Sequence, residues 1–269
     1  MKKVLSLILA GVLALGITSC GGSKSDDKTI TVAATSAPHA EVLEQCKPLL
    51  KEKGYDLEIK VVDDYITPNT ATEDGEVDAN YFQHINYLNN FNKENGTHLV
   101  NIANVHYEPF GVYSSKIKSL SELKDGDSIA VPNDPTNEAR ALLLLAENGV
   151  IKLADGVGIN ATKKDIVENK KNIQINEMEA ALLPSVLDEV TCAVINGNYA
   201  ISAGLKIADA IATEDSNSLA IKQEYVNILV VKEGNENLPK IQALKEVLTS
   251  DTIADYITNN YAGAVVPMK

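Results

Sequence analysis

The chain is short of positive charge. Its 24 lysines and arginines stand against 37 aspartates and glutamates, which gives a formal net charge of −13 at pH 7. Nucleic-acid binding needs a basic surface that neutralises phosphates, and electrostatic docking to anionic lipid needs a similar surface. The acidity therefore argues against both kinds of partner and is typical of a soluble, solvated protein surface.

Motifs for several catalytic and metal-dependent activities are also missing. The sequence contains no G-x-S-x-G motif and no local Cys–His pair, so an exported enzyme is not favoured. No G-x-x-x-x-G-K-[ST] motif occurs, so the sequence shows no site at which the chain itself could use a nucleotide. The histidines form no H-E-x-x-H pair and have no accompanying acidic cluster, so a metal-binding protein is an alternative that the sequence does not favour. We therefore expect no enzymatic activity, no cofactor and no metal.

Arginine is the scarcest charged residue, because Arg140 is the only one in the chain. It ends the segment "NDPTNEAR", in which Asp134 predicts a helix N-cap and Pro135 the first helical residue. The start of a helix after a strand favours an anion, and a guanidinium can hold a carboxylate through two parallel hydrogen bonds, which lysine cannot. Arg140 is thus a candidate anion-binding residue, although its position alone fits a structural role equally well. Because the helix has its own cap, we expect substitution of Arg140 to change folding little.

The first twenty residues differ in character from the rest. Lys2 and Lys3 precede an uncharged apolar segment, residues 4–17, which is too short for a comfortable membrane span and predicts a signal peptide over residues 1–19. The following "ITSC" resembles a bacterial lipobox, which implies cleavage before Cys20 and lipid on that residue. Residues 20–28 would then be a flexible lipidated tether. An ordinary signal peptide with an incidental cysteine is the alternative.

Strand and helix patterns alternate through the rest of the chain and then restart. Residues 29–107 contain the strand-like segments "KTITVAA", "YDLEIKVV" and "HLVNIANV" with helical patterns between them, and a second set begins at "PFGVYSS". This order predicts an α/β protein whose first lobe comprises residues 29–110 and 222–269 and whose second comprises 111–221. Cys46 and Cys192 fall in different lobes, so we favour two buried thiols over a disulfide. The ligand is expected in the cleft between the lobes, beyond the carboxyl ends of strands.

Several segments together point to a known family. The segments "VAATSAPHAEVLE", "DGEVDANYFQH", "VPNDPTNEARALLLL", "AVINGNYA" and "YVNILVV" closely resemble the NlpA family of methionine-binding lipoproteins, in order and over about residues 30–267. The resemblance implies a two-lobed periplasmic-binding-protein fold of type II-like form, each lobe a mixed sheet flanked by helices. It also implies a lipid-anchored protein on the extracytoplasmic face of the membrane, which delivers an amino acid to the permease and ATPase of an ABC importer. L-methionine is the favoured ligand, with D-methionine, methionine sulfoxide or a methionine-containing dipeptide as alternatives.

The resemblance also implies a set of ligand-binding residues. Tyr81, Phe82 and His84 would line a thioether pocket, since sulfur packs well against aromatic edges. Arg140 would bind the α-carboxylate, assisted by Asn137 one helical turn earlier. Side-chain amides can bond both an ammonium and a carboxylate, which suits Asn196 and Asn227 at predicted strand ends. The expected site therefore comprises Tyr65, Tyr81, Phe82, His84, Tyr107, Asn137, Arg140, Asn196 and Asn227, with Asn198 as a weaker candidate.

Overall fold

A computed structural model describes residues 28–215, 218, 221 and 224–268. The predicted signal peptide, Cys20 and the rest of the tether before residue 28 lie outside this part of the chain. The strands are β1 (Thr29–Ala34), β2 (Asp56–Val61), β3 (Ala79–His84), β4 (Leu99–Tyr107), β5 (Gly111–Tyr113), β6 (Ser128–Pro132), β7 (Lys152–Leu153), β8 (Ile166–Glu168), β9 (Gln174–Met178), β10 (Cys192–Ile195), β11 (Ala212–Thr213), β12 (Val226–Lys232) and β13 (Val266–Pro267). The α-helices are α1 (Glu41–Glu52), α2 (Thr67–Glu73), α3 (Ile85–Asn95), α4 (Pro135–Glu147), α5 (Gly197–Ser202), α6 (Pro239–Leu248) and α7 (Asp251–Asn260). Among these helices, none combines the length and the hydrophobicity that a membrane span requires.

The first sheet has six strands in the order β13-β4-β12-β3-β1-β2. β1 runs parallel to both β2 and β3, as expected for strands joined by crossover helices. β12 comes from the last third of the chain and inserts antiparallel between β3 and β4. β3 therefore lies inside the sheet, and all six of its residues are buried.

The second sheet has five strands in the order β11-β5-β10-β6-β9. β6 is parallel to β9 and β10, whereas β5 is antiparallel to β10 and β11. The chain passes from the first sheet to the second between residues 107 and 111 and returns between residues 213 and 226. Both sheets are mixed, as the resemblance implied, and the lobe limits at 110/111 and 221/222 remain a predicted division.

Two segments with helical sequence patterns form less α-helix than the patterns predict. Ser36 and Pro38 are typical of a helix start, but α1 begins at Glu41, because Ala37 has an extended backbone (φ −128°, ψ 145°) and residues 36–40 form an irregular turn. The segment "MEAALLPSVLDE" has a helical pattern as well, but it forms a run of 3-10 turns, Ala180–Val186. Pro184 lies within it and has no N–H to donate to an α-helical hydrogen bond. The first difference matters to the site, because the irregular turn places His39 in the protein interior, fully buried.

The two cysteines occupy different hydrophobic cores. Cys46 packs beneath the first sheet among residues of α1, α6 and α7, and Cys192 lies in the core formed by the second sheet and α4. Both are free and buried, and burial raises the pKa of each thiol to about 12. The prediction of two buried thiols is confirmed.

Candidate ligand-binding site

A cavity is lined by residues of the first sheet and of segments that follow strands of both sheets. One part of its wall is aromatic and another is rich in amides and charged groups. It is lined by Tyr65, Phe82, Gln83, His84, Tyr87, Glu108, Asn137, Arg140, Asn196, Gly197, Asn198 and Asn227.

The aromatic wall depends on the alternation of side chains along β3. Phe82 and His84 are two residues apart and therefore share one face of the strand. The ring of Tyr65 lies 5.8 Å from that of Phe82 and 5.7 Å from that of Tyr87, measured between centroids. These three rings make an apolar surface with edges and faces exposed to the cavity, which suits a thioether or alkyl chain.

Two predicted aromatic residues lie behind this surface. Tyr81 points to the opposite face of β3, into the core of the first lobe, where its hydroxyl is hydrogen-bonded to Nδ1 of His106. Tyr107 is fully buried, and its hydroxyl donates to Oε2 of Glu214 at 2.7 Å. Neither residue lines the cavity. For Tyr81 the reason is the alternation along β3, which turns the neighbours of Phe82 and His84 to the other face of the strand.

The donor and acceptor atoms of the amide groups near His84 can be assigned from one backbone hydrogen bond. Tyr87 N–H donates to Nδ1 of His84 at 3.1 Å, so the ring proton must lie on Nε2. That Nε2 then donates to Oδ1 of Asn137 at 3.1 Å, and Nδ2 of Asn196 donates to the same oxygen at 2.9 Å. Oδ1 of Asn196 is left buried with no hydrogen-bond partner among the described residues. The cavity wall therefore presents an unpaired acceptor at this point.

Asn137 itself is fully engaged. Its Oδ1 accepts these two hydrogen bonds, and its Nδ2 donates to both carboxylate oxygens of Asp134 at 3.0 Å. The Asp134 side chain also caps α4 by accepting from Asn137 N–H at 3.0 Å, as the sequence predicts. Asn137 thus holds His84 and Asn196 in position, and it lines the cavity with its own amide already paired.

A second chain of hydrogen bonds orients Asn227. The register of the first sheet places Asn227 between His84 of β3 and His106 of β4. Its Oδ1 lies 3.0 Å from Nε2 of His39, whose Nδ1 lies 2.8 Å from the Thr35 hydroxyl. Because an amide oxygen can only accept, His39 carries its proton on Nε2, and Nδ2 of Asn227 remains as a donor.

Asn198 contributes a further unpaired donor. The Tyr65 hydroxyl donates to Oδ1 of Asn198 at 2.6 Å, and this bond joins the two sides of the cavity. Nδ2 of Asn198 is buried and has no partner in the described part of the chain. The weakest candidate of the sequence is therefore well placed to contact a ligand.

Arg140 is held by a carboxylate from the protein itself. Its Nε and Nη2 donate to the two oxygens of Glu214, both at 2.7 Å, and Nη2 also donates to the backbone oxygen of Glu108 at 2.8 Å. The guanidinium carbon lies 4.7 Å from the Phe110 ring centroid and 4.2 Å from that of Tyr225. The two-pronged geometry that distinguishes arginine from lysine is thus used for Glu214, and Nη1 is the nitrogen that makes no hydrogen bond to a described residue.

The ionisation states follow from burial and from this ion pair. Burial would raise the pKa of Glu214, but the neighbouring Arg140 outweighs it and the net pKa is lowered. Burial, together with the charge of Arg140, lowers the pKa of His84 to about 3. The pKa of His39 falls to about 4 and that of His106 to about 3, mainly through burial. These three imidazoles are therefore neutral at pH 7, as the assigned hydrogen bonds require.

Within the described part of the chain, one group of side chains could geometrically share a metal ion, namely His39, His106 and Glu108. No local sequence pattern indicates this group, because His39 lies in the irregular turn before α1, whereas His106 and Glu108 lie at or just after the end of β4. Nε2 of His106 lies 2.6 Å from Oε1 of Glu108, and Nε2 of His39 lies 3.4 Å from it. Nε2 of His39 also bonds Asn227. The inward atoms are therefore already joined in a hydrogen-bonded network.

Several residues of the site escaped the sequence interpretation, among them Tyr87, Glu108 and Glu214. Tyr87 lies one turn into α3, three residues after His84, and this spacing could have suggested it. Glu108 directly follows β4, but a single carboxylate does not stand out in an acidic chain. Glu214 offers no local signal, since its partner Arg140 is 74 residues away.

Comparison with known proteins identifies the family to which the chain is similar. A sequence model described as NlpA lipoprotein matches residues 30–269. The methionine-binding lipoprotein MetQ of Bacillus subtilis (strain 168) is 44% identical over 280 residues, which cover 100% of this chain and 99% of that protein.

Solved structures agree with the family match. A nutrient-binding protein from Burkholderia cenocepacia, solved bound to methionine, is 40% identical with a TM-score of 0.85, covering 89% of this chain and 100% of the other. A periplasmic substrate-binding protein of an ABC transporter from Coxiella burnetii is 39% identical with a TM-score of 0.83 and the same coverage. The expected two-lobed periplasmic-binding-protein fold is confirmed by this likeness. With its two mixed sheets, its cavity and a family match over nearly all of its length, the chain belongs to the NlpA lipoprotein family.

Proposed function

We propose that this protein captures methionine outside the cytoplasm and delivers it to an ABC importer. The observation that carries the proposal is a set of unpaired polar atoms in the wall of a cavity that is also lined by aromatic rings. An α-amino acid brings a carboxylate, which needs donors, and an ammonium, which needs acceptors. The cavity offers both kinds of group within one polar wall.

The donors suit the ligand carboxylate. Nη1 of Arg140, Nδ2 of Asn227 and Nδ2 of Asn198 have no protein acceptor among the residues described. Arg140 therefore keeps the predicted role toward the carboxylate, but through the one nitrogen that Glu214 leaves free. Asn196 turns the opposite atom inward, and its Oδ1 suits the ammonium.

The aromatic wall suits the methionine side chain. Burying that side chain against Tyr65, Phe82 and Tyr87 would contribute roughly 1.5–3 kcal/mol, and sulfur–aromatic contacts would add up to about 1.5 kcal/mol. The same wall would accept D-methionine, and with a different polar contact methionine sulfoxide or a short methionine-containing peptide. L-methionine is the ligand that we propose first.

Export and anchoring rest on the N-terminal segment. Cleavage before Cys20 and lipid on that residue would keep the protein at the extracytoplasmic face of the membrane. The membrane permease and the ATPase of the importer would be its partners, because the chain has no nucleotide-binding motif of its own. We propose a transport role without catalysis and without a cofactor.

Mass spectrometry after chiral chromatography of the ligand released from denatured, natively purified protein is the most direct test. Release of L-methionine is the expected result, and the D form, the sulfoxide or a dipeptide would replace it as the ligand if one of them were found. Metal in stoichiometric amount with no amino acid would instead favour the alternative of a metal-binding transport lipoprotein. For the anchor, Cys20→Ala should abolish lipid labelling, and a variant that is labelled normally would remove the lipobox assignment.

A further inference from the structure

We propose that Glu108 supplies the negative charge that pairs with the α-ammonium of the bound amino acid, so that the site requires a free ammonium group. This proposal rests on the proposed function, because it concerns the ligand of the same cavity. It adds to that function a rule about which methionine derivatives are accepted.

Glu108 is a buried carboxyl group to which no cationic side chain of the described residues is bonded. Only 4% of its surface is exposed, and it lines the cavity. Its Oε1 faces two imidazoles, His106 at 2.6 Å and His39 at 3.4 Å, which are neutral. Arg140 donates to the backbone oxygen of Glu108, but the ion pair of Arg140 is with the side chain of Glu214.

Burial of such a group without a counter-charge is unfavourable. A buried carboxylate either finds a cationic partner or gives up its charge, and burial raises the pKa of Glu108. A ligand ammonium that enters the cavity would be the missing partner and would favour the ionised carboxylate. The pairing would be strong, because both groups are withdrawn from water.

The carboxylate lies beside the acceptor already assigned to the ammonium. A Cβ placed on Gly197 would come within 2.7 Å of Oε2 of Glu108, so only glycine leaves room for this oxygen there. Gly197 directly follows Asn196, whose Oδ1 is the unpaired acceptor. Glu108 and Asn196 therefore converge on one place in the polar wall.

Two histidines hold the carboxylate in position. His106 is fixed by the Tyr81 hydroxyl on Nδ1 and meets Oε1 through Nε2. His39 is fixed by Thr35 on Nδ1 and reaches both Glu108 and Asn227 through Nε2. The imidazole of His39 therefore contacts both Glu108, which would accept from the ligand ammonium, and Asn227, which would donate to the ligand carboxylate. It fixes the position of these two side chains relative to each other.

The test compares two ligands that differ only at the ammonium group. Methionine and its 2-hydroxy analogue, 2-hydroxy-4-(methylthio)butanoate, would be titrated calorimetrically into wild type, Glu108→Gln and the control Glu179→Gln, which changes an exposed carboxylate near the cleft. Wild type should prefer methionine by about 30-fold or more. Glu108→Gln should weaken the binding of methionine by about 10- to 100-fold and should change the affinity for the hydroxy acid by less than about threefold. Glu179→Gln should behave as wild type.

Several outcomes would overturn the proposal. Unchanged methionine binding by Glu108→Gln would do so, and so would an equal loss for both ligands, which would mark a purely structural effect. Should Glu108→Gln not fold, Gly197→Ala displaces the carboxylate instead, and it should weaken methionine more than the hydroxy acid; an equal loss would overturn the proposal. Wild type that binds both ligands equally overturns it without any variant. Wild type that binds neither ligand would instead overturn the proposed function.

Discussion

Two buried glutamates on either side of Arg140 have opposite surroundings. Glu214 receives two charge-assisted hydrogen bonds from the guanidinium, together with donors from the Tyr107 hydroxyl and Phe110 N–H. Glu108 is equally buried, but its carboxyl group faces two neutral imidazoles and the cavity. As a result the pKa of Glu214 is lowered and that of Glu108 is raised.

The difference separates a structural carboxylate from one that is available to a ligand. Glu214 has its cation and its donors within the protein, so it has no remaining need for a partner. Glu108 lines the cavity, and its carboxyl group has no cationic partner among the described residues. Burial alone does not distinguish the two glutamates, whereas the hydrogen-bond partners do. The two parallel hydrogen bonds from Arg140 to Glu214 are a geometry that a lysine does not offer.

The largest effect should come from breaking the Glu214 pair. Arg140→Ala leaves Glu214 buried without its cation, so we expect the free energy of unfolding to fall by about 3–5 kcal/mol in urea titrations. This corrects the sequence-based expectation that folding would change little. Glu108→Gln should change it by less than about 1.5 kcal/mol, because a neutral amide replaces a carboxyl group that has no cation. Similar losses for both variants would remove the distinction between the two glutamates.

A charge reversal at the donor side of the cavity should have the next largest effect. Asn227→Asp keeps an oxygen toward His39 but replaces the Nδ2 donor with a second oxygen that would repel the ligand carboxylate. We expect calorimetry to show methionine binding weakened by about 100-fold, or about 2.7 kcal/mol. Methioninol lacks the carboxylate and should lose much less on the same substitution. Equal losses for the two ligands would place the carboxylate elsewhere.

Acid should destabilise the side of the cavity near Glu214 through His84. Its folded pKa of about 3 lies below the ordinary value of 6.5, so the unfolded state binds the proton first. The stability that neutral His84 contributes is present above pH 6.5 and is lost as pH falls toward 3, by about 1.4 kcal/mol per pH unit. His84→Asn keeps a helix-capping residue before α3 and should show a shallower loss in unfolding titrations from pH 6 to 4. Parallel curves for the two proteins would show that His84 does not titrate in this way.

The smallest effect concerns the aromatic wall, which contacts neither Glu108 nor Glu214. Norleucine keeps the shape of methionine but lacks sulfur, so it should bind more weakly by up to about 1.5 kcal/mol, and alanine should lose most of the affinity. The ratio of methionine to norleucine affinity should be the same in wild type and Glu108→Gln, since distant interactions add independently. A ratio that changes between the two proteins would mean that the two ends of the cavity are coupled. Equal binding of alanine and methionine by wild type would remove the thioether pocket altogether.

Local sequence determined much of the fold. The Asp134 cap and Pro135 mark the start of α4, as the sequence predicts. Gly96 and Gly149, with φ values of +66° and +71°, lie just after the ends of α3 and α4, where glycine commonly ends a helix. The strand–helix order and the family motifs also predicted the two lobes and brought Phe82, His84, Asn196 and Asn227 to the cavity. These features depend on neighbours within a few residues or on motifs that keep their order along the chain, so sequence alone reveals them.

Only the tertiary structure decided which polar groups remain for a ligand. Arg140 and Glu214 are 74 residues apart, and His39 and Asn227 are 188 apart, so no local pattern indicates either pair. An atom that is hydrogen-bonded within the protein is no longer available to a ligand. Which atoms are bonded depends on groups that the packing of strands from distant parts of the chain brings together. The sequence supplied the residue types of the site, and the packing of the two sheets determined that Asn137 is already paired while Glu108, Asn196 and Asn198 retain atoms for a partner.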